Sequence, residues 1–378
     1  MAGSGAGLDR LGLARFGALP ERPLRILPRW LGIALLILTA IACLANTASL
    51  QTLDKRLETQ NTVRSEGGAR ADMDLYRTIN ARVAAGEEYY EVATDEHRRT
   101  NYPTAPFVTV RTPVLAWTTS VWGAAGWRGI AILLWVANIL AWHAALAKRG
   151  SRFERIGAAL IVALFGLVAL IPEIATSHEA LAGLALSLAL ALSERFFAVA
   201  LTLAFAASAL RLLALPFLLL WGALGLLQQR WRRAMAIGAA LLCLAVGIAL
   251  HASAVAAARL PGDLVSDGWQ ALIGPALPLY GVNLLTILQE LPIWLAGPLG
   301  VLPLLGWAAL GGRMGTLAFG WFLGFGLFVA LFARLDNFYW MGLVVPAYGV
   351  GLVFVPRAIG DALSRRGISS AAAATATP

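Results

Sequence analysis

Two carboxylates one residue apart, Asp72 and Asp74 in DMDLY (72–76), open the most chemically suggestive stretch of the chain. A carboxylate within reach of an attacking hydroxyl is an ordinary proton acceptor. A D-x-D pair can also hold a divalent cation against a diphosphate, and either aspartate could simply cap a helix. Tyr76 follows Asp72 by one helical turn, and Tyr102 stands in YPTAP (102–106). Two arginines occupy unusual settings: Arg211 interrupts the apolar run AASALRLLALPF, and Arg334 begins RLDNFYW. A guanidinium inside apolar sequence is costly unless it pairs or reaches water, which makes it a functional candidate; snorkelling from a helix end is the plainer account. Its planar fork matches phosphate oxygens. His178 and Glu179 begin another apolar run and could line a cavity or serve as a first-turn cap.

The elements that must position these residues are apolar helices. With 59% hydrophobic and 13% charged residues, the chain has too little polar surface to clothe a soluble globule of 378 residues. Apolar runs fall at 30–50, 127–147, 155–173, 178–193, 196–211, 212–227, 235–258, 291–311, 315–333 and 339–356. This predicts an all-α polytopic bundle of about ten spans, the short runs meeting at Arg211 being the least regular. The first run lacks a cleavage site and is expected to remain as an anchor. Arg10, Arg15, Arg22, Arg25 and Arg29, then Lys148, Arg149, Arg152 and Arg155, then Arg230, Arg232 and Arg233, then Arg357, Arg365 and Arg366 fall on one side if the span count is even. By the positive-inside rule that side is cytoplasmic. Residues 1–29 then form a cytoplasmic segment, 30–367 a single transmembrane domain, 51–126 the first extracytoplasmic loop, and 368–378 a disordered tail. The net charge of +9 speaks for topology and membrane-lipid headgroups rather than nucleic acid.

The first loop carries about a third of the charged residues, so it is expected to do more than connect two spans. Its first part, to Glu66, extends the first span until Gly67 and Gly68 break it. Leu75, Ile79 and Val83 then mark one face of an amphipathic helix over 72–85, and a carboxylate at its start would meet the helix dipole. Arg98, Arg99 and Arg111 flank YPTAP without individual assignments, and His97 reads as a surface histidine. His143 and His251 lie on spans and read as paired within the bundle. Asp263, Asp267, Trp269, Tyr280 and Asn283, in the connection over 259–290, suit sugar recognition or interfacial anchoring equally. Cys43 and Cys243 lie in spans with no metal or disulfide spacing and read as packing residues.

Asp72, Tyr76, Gly86, Tyr89 and Tyr90, followed by Tyr102, Pro103 and Pro106, resemble the first outer loop of GT-C-fold glycosyltransferases that use polyprenyl-phosphate sugars, among them mannosyl- and arabinosyltransferases. The resemblance is close from the start of DMDLY to the end of YPTAP and elsewhere rests on span order and arginine placement. Some members carry an Asp-Glu pair where this chain has Asp72, Met73 and Asp74, so which aspartate takes the family role stays open. The resemblance implies a GT-C-like bundle with its active site on the extracytoplasmic face, and the Ala-, Leu- and Arg-rich composition without eukaryotic retention signals points to a bacterial inner membrane. It implies inverting transfer from a polyprenyl-phosphate sugar to a glycan or glycolipid acceptor, with Asp72 or Asp74 as general base. Arg211 and Arg334 would bind the donor phosphate, and Tyr76, Tyr102, His178 and Glu179 the substrates. No metal is required, the D-x-D reading being weak without a nucleotide-binding domain. A secondary transporter or lipid-linked-sugar flippase is the second reading, because a transporter would place its polar groups at the bilayer midplane on broken helices, whereas here they crowd outer loops and span ends; a non-catalytic scaffold is the third.

Overall fold

The computed structural model describes residues 18–66, 72–269 and 271–364, without the side chains of residues 61, 63–66, 72, 168 and 169. Arg10, Arg15, Gly67, Gly68, Arg365, Arg366 and the tail 368–378 lie outside the described residues. Among the described residues the chain is helical, with two isolated bridges as its extended pairings. Helix α1 (Arg29–Glu66) runs unbroken from the first span through the predicted extension. Two shorter helices follow, α2 (Asp72–Ala84) and α3 (Tyr89–Arg99), and then α4 (Val114–Ala145), whose axis breaks where Gly123 takes φ 67°. The remaining principal helices are α5 (Arg152–Phe165), α6 (His178–Leu192), α7 (Phe197–Leu210), α8 (Leu215–Leu227), α9 (Trp231–Ala258), α10 (Ala276–Leu284), α11 (Ile293–Leu310), α12 (Gly312–Phe332) and α13 (Val355–Leu363).

This is an all-α protein whose long apolar helices mark it as an integral membrane protein. Among the described residues, five helical stretches are long and apolar enough to cross a membrane, those containing α1, α4, α9, α11 and α12. A sixth crossing is available if the 3₁₀ segment Leu335–Leu343 and the helical stretch to Leu363, bent by 60°, count as one. The expected count of about ten is therefore corrected. Helices α6, α7 and α8 have the composition of spans but only 15, 14 and 13 residues. At a rise of about 1.5 Å per residue they reach roughly 20–22 Å, short of the ~30 Å hydrocarbon core. The run at 155–173 is likewise interrupted, α5 ending at Phe165.

One end of the bundle gathers most of the described arginines singled out as topological markers. Arg22 bonds Asp361 at 2.5 and 3.0 Å, Arg357 bonds Glu154 at 2.6 and 3.0 Å, and Arg230 bonds Glu194 at 2.9 and 3.1 Å. The Gly312 amide donates to the Leu19 carbonyl at 2.9 Å, tying the N-terminal arm to the same end. Between the ends, polar side chains stitch helices together: Asn46 to the Gly297 carbonyl, Asn138 to Leu184, Trp142 to Ser187 Oγ, and Trp307 to the Tyr348 carbonyl. Such bonds satisfy donors that lipid could not.

Helix α6 is buried along its whole length and approaches the Leu335–Leu343 segment backbone to backbone. A Cβ on Gly183 would fall onto the Gly342 carbonyl oxygen. Gly183→Ala is thus expected to force the two segments apart, at about 1–3 kcal/mol for overpacking, and to lower the thermal midpoint of the detergent-purified protein. An unchanged midpoint would show that this approach is not needed.

Candidate functional site

At the end opposite the arginine markers, α2 and α3 lie over the bundle. Leu75, Ile79 and Val83 are buried on one face of α2, packed with Tyr89, Val92 and Ala93 of α3 and with Val110, Ala116 and Val255 beneath. This is the amphipathic face expected from the sequence. Arg82 staples the two helices by reaching Glu87, Asp95 and Glu96 at 2.5, 2.7 and 2.6 Å. Its hydrogen bonds hold the Glu87 carboxyl below the usual carboxylate range.

A second clasp joins the YPTAP stretch to the connection after α9. Asp263 accepts from Arg98 Nε at 2.7 Å, Thr104 Oγ1 at 3.1 Å and the Leu260 amide at 3.1 Å. Desolvation opposes its charge, but those bonds outweigh it, so its carboxyl titrates below the ordinary range. The Thr104 amide bonds the Leu264 carbonyl and the Ser266 amide bonds the Ala105 carbonyl, making the parallel bridge between Ala105 and Val265. His97 is buried beneath this clasp with Nδ1 2.9 Å from the Pro103 carbonyl, which corrects its reading as a surface histidine. His251 is paired as expected, Nε2 lying 3.1 Å from the Val110 carbonyl.

These elements wall a cavity of about 1040 Å³. Helix α2 contributes Met73, Tyr76, Arg77 and Asn80, the YPTAP stretch Tyr102 and Pro103, and the connection after α9 Asp267 and Trp269. Arg111, His178, Glu179, Arg211, Arg334 and Tyr339 also line it. Six residues singled out from sequence as substrate or phosphate ligands thereby share one space: Tyr76, Tyr102, His178, Glu179, Arg211 and Arg334.

The centre of the cavity is an ion triad. Glu179 Oε1 accepts from Arg211 Nε at 2.7 Å and from Arg111 Nη2 at 3.3 Å. Arg111 also donates to Tyr339 Oη at 3.4 Å and lies over the Tyr76 ring, 5.3 Å from its centroid. Tyr76 in turn meets the His178 ring edge to face at 5.4 Å. Local chemistry explains each placement. Arg211 adopts an extended conformation between α7 and the turn that opens α8, so its side chain emerges where two helices end. Thr112 donates to the Ala209 and Leu210 carbonyls at 2.6 and 3.1 Å, using acceptors orphaned at the C-terminus of α7 and bringing Arg111 beside Arg211. Tyr89 Oη fixes the Arg111 carbonyl at 2.6 Å. Ser177 caps α6, leaving Glu179 in the first turn, where a carboxylate suits the helix dipole. Two guanidiniums face one carboxylate, so the triad carries a surplus positive charge among the described residues, a setting that favours an anionic ligand.

Arg334 lies on the cavity wall, donating to the Gly268 carbonyl at 2.8 Å and facing Asp267 Oδ2 at 3.7 Å. Asp74 does not line the cavity; it pairs with Arg77, which borders both the cavity and a neighbouring shallow depression that Asp74 lines with Thr78, Ala81 and Arg82. Asp72 opens α2 one turn before Tyr76, and its side chain lies outside what is described. Asp263 and Tyr280 serve the clasp and a bond to Asp54, and Asn283 bonds the Leu279 carbonyl. Arg111 had no individual assignment from sequence; its proximity to YPTAP was the available signal. Among the described residues no three His, Cys, Asp or Glu side chains converge as a metal site. No family model, curated protein or solved structure matches the chain.

Proposed function

We propose that the chain is a GT-C-like integral membrane glycosyltransferase that moves a sugar from a polyprenyl-phosphate donor to an acceptor hydroxyl on the extracytoplasmic face. The observation that carries this reading is convergence. Segments far apart in the chain, the D-x-x-x-Y helix, YPTAP, the break at Arg211 and the RLDNFYW element, line one cavity with a cationic centre.

In this reading the phosphate of the lipid carrier seats against Arg211 and Arg111, with Arg334 on the same wall. As the sugar leaves, negative charge grows on the phosphate, and fixed guanidiniums stabilise it without reorganising. Tyr76, Tyr102, His178 and Trp269 offer ring faces and polar tips suited to sugars. A carboxylate takes the proton of the attacking hydroxyl in a single inverting displacement. Asp72 is preferred as that base because Asp74 is engaged by Arg77 and does not itself line the cavity. Glu179 suits the role less well, since its Oε1 already accepts from two guanidiniums.

The test is transfer in reconstituted membranes from a radiolabelled polyprenyl-phosphate sugar to an acceptor. Arg211→Ala is expected to lower transfer by about 10²-fold or more, as loss of an electrostatic stabiliser of the departing charge does, while the protein still purifies as a monodisperse species. Wild-type rates in that variant would remove Arg211 from the site. The break between α7 and α8 also favours a second reading, a transporter or flippase for the lipid-linked sugar. Translocation of the intact donor without cleavage would establish that alternative.

A further inference from the structure

We propose that the end of the bundle opposite the cavity holds a binding site for an anionic phospholipid. Three turns distant in sequence meet there: the α6–α7 turn with Glu194 and Arg195, the α8–α9 turn with Arg230, and the α11–α12 turn that leads into Arg313. The side chains of Arg230, Arg233 and Arg313 converge on Glu194. Arg230 Nη1 bonds both Glu194 oxygens at 2.9 and 3.1 Å, while Arg233 Nη1 and Arg313 Nη1 each stand 3.6 Å from that carboxylate. Arg233 is fixed further by donation to the Ser193 and Glu194 carbonyls at 3.1 and 3.3 Å.

One carboxylate cannot neutralise three guanidiniums, and Arg195 and Arg232 stand exposed in the same turns. Glu21 of the N-terminal arm approaches beside Gly312, so these turns carry five arginines against two acids. The positive-inside rule accounts for basic residues at this end but not for their convergence on a common point.

Apolar surface adjoins the charge. Phe196 just before α7, Val199 in its first turn, Leu226 in the last turn of α8, and Trp231 and Met235 near the start of α9 are exposed at the same end of these helices. Arg195 and Arg233 lie over the Phe196 and Phe197 rings at 5.1 and 4.8 Å. A phosphodiester headgroup meets the guanidiniums while its acyl chains lie along that apolar surface, a combination a free anion cannot exploit. None of these residues lines the cavity, so the site is independent of the transfer proposed above.

The test uses the delipidated full chain in detergent, with thermal unfolding and native mass spectrometry in the presence of phosphatidylglycerol, phosphatidylcholine or inorganic phosphate. Phosphatidylglycerol is expected to bind and stabilise selectively. Arg230→Gln with Arg313→Gln should weaken that binding by roughly 30-fold, from the contribution of each basic residue beside an anionic lipid surface. Lys55→Gln with Arg56→Gln, an equal charge loss on α1, should leave it unchanged. Should the first pair fail to fold, the exposed Arg195→Gln and Arg232→Gln carry the same test. Equal binding of phosphatidylcholine, equal stabilisation by inorganic phosphate, or unaltered selectivity in the arginine variants would overturn the proposal.

Discussion

Glu179→Ala is expected to be the most destabilising substitution at the cavity, costing about 3–5 kcal/mol, because removing one member of a buried ion cluster strands its partners. Here two guanidiniums would be stranded, Arg211 at 5% exposure and Arg111 with its side chain at 9%. Thermal unfolding in detergent measures the loss. Combining Glu179→Ala with Arg211→Leu should be less harmful than the sum of the two single changes, since the second removes a charge that the first left unpaired. Strict additivity, or a change within about 0.5 kcal/mol for Glu179→Ala alone, would mean that the triad is not a coupled unit.

Asp72→Asn is expected to reduce sugar transfer by about 10²–10⁴-fold, the usual worth of a positioned general base. Asparagine matches aspartate in size and keeps an acceptor oxygen, so expression and thermal midpoint should be unaffected. Asp74→Asn should leave transfer within a few-fold of wild type, because its carboxylate pairs with Arg77 at the neighbouring depression. The reverse ranking would transfer the role of base to Asp74. Mass spectrometry of the cell envelope from a strain carrying Asp72→Asn would also show which glycan goes missing, and hence the sugar and acceptor.

Features governed by periodicity along the chain were legible in the sequence. The continuation of α1 to Glu66 and the buried stripe Leu75, Ile79 and Val83 follow from helical spacing. Arg211 was legible because charge inside an apolar run has few explanations, and its backbone does leave the helix there. Features set by partners distant in sequence were not. Arg111 looks like any loop arginine until Thr112 docks on the end of α7 and Glu179 arrives from α6. His97 is hidden by Pro103 and the clasp of Asp263, contacts that no local pattern announces. The span count failed for a related reason. Composition does not distinguish a helix that crosses lipid from one that stops at a buried ion cluster, and α6, α7 and α8 each have one end at the cavity.

Those truncated helices have an electrical consequence. With the far ends of α6, α7 and α8 at the membrane surface, roughly 20–22 Å of apolar helix, rather than ~30 Å of hydrocarbon, would insulate the polar vestibule at Arg211 and Glu179 from the opposite aqueous phase. A membrane voltage falling across that thinner barrier produces a local gradient about 1.4 times steeper than in surrounding bilayer, from the ratio of the two thicknesses. A charge moved from the vestibule to the opposite phase would cross nearly the full potential within that shorter path, whereas one leaving to the near side would cross almost none of it.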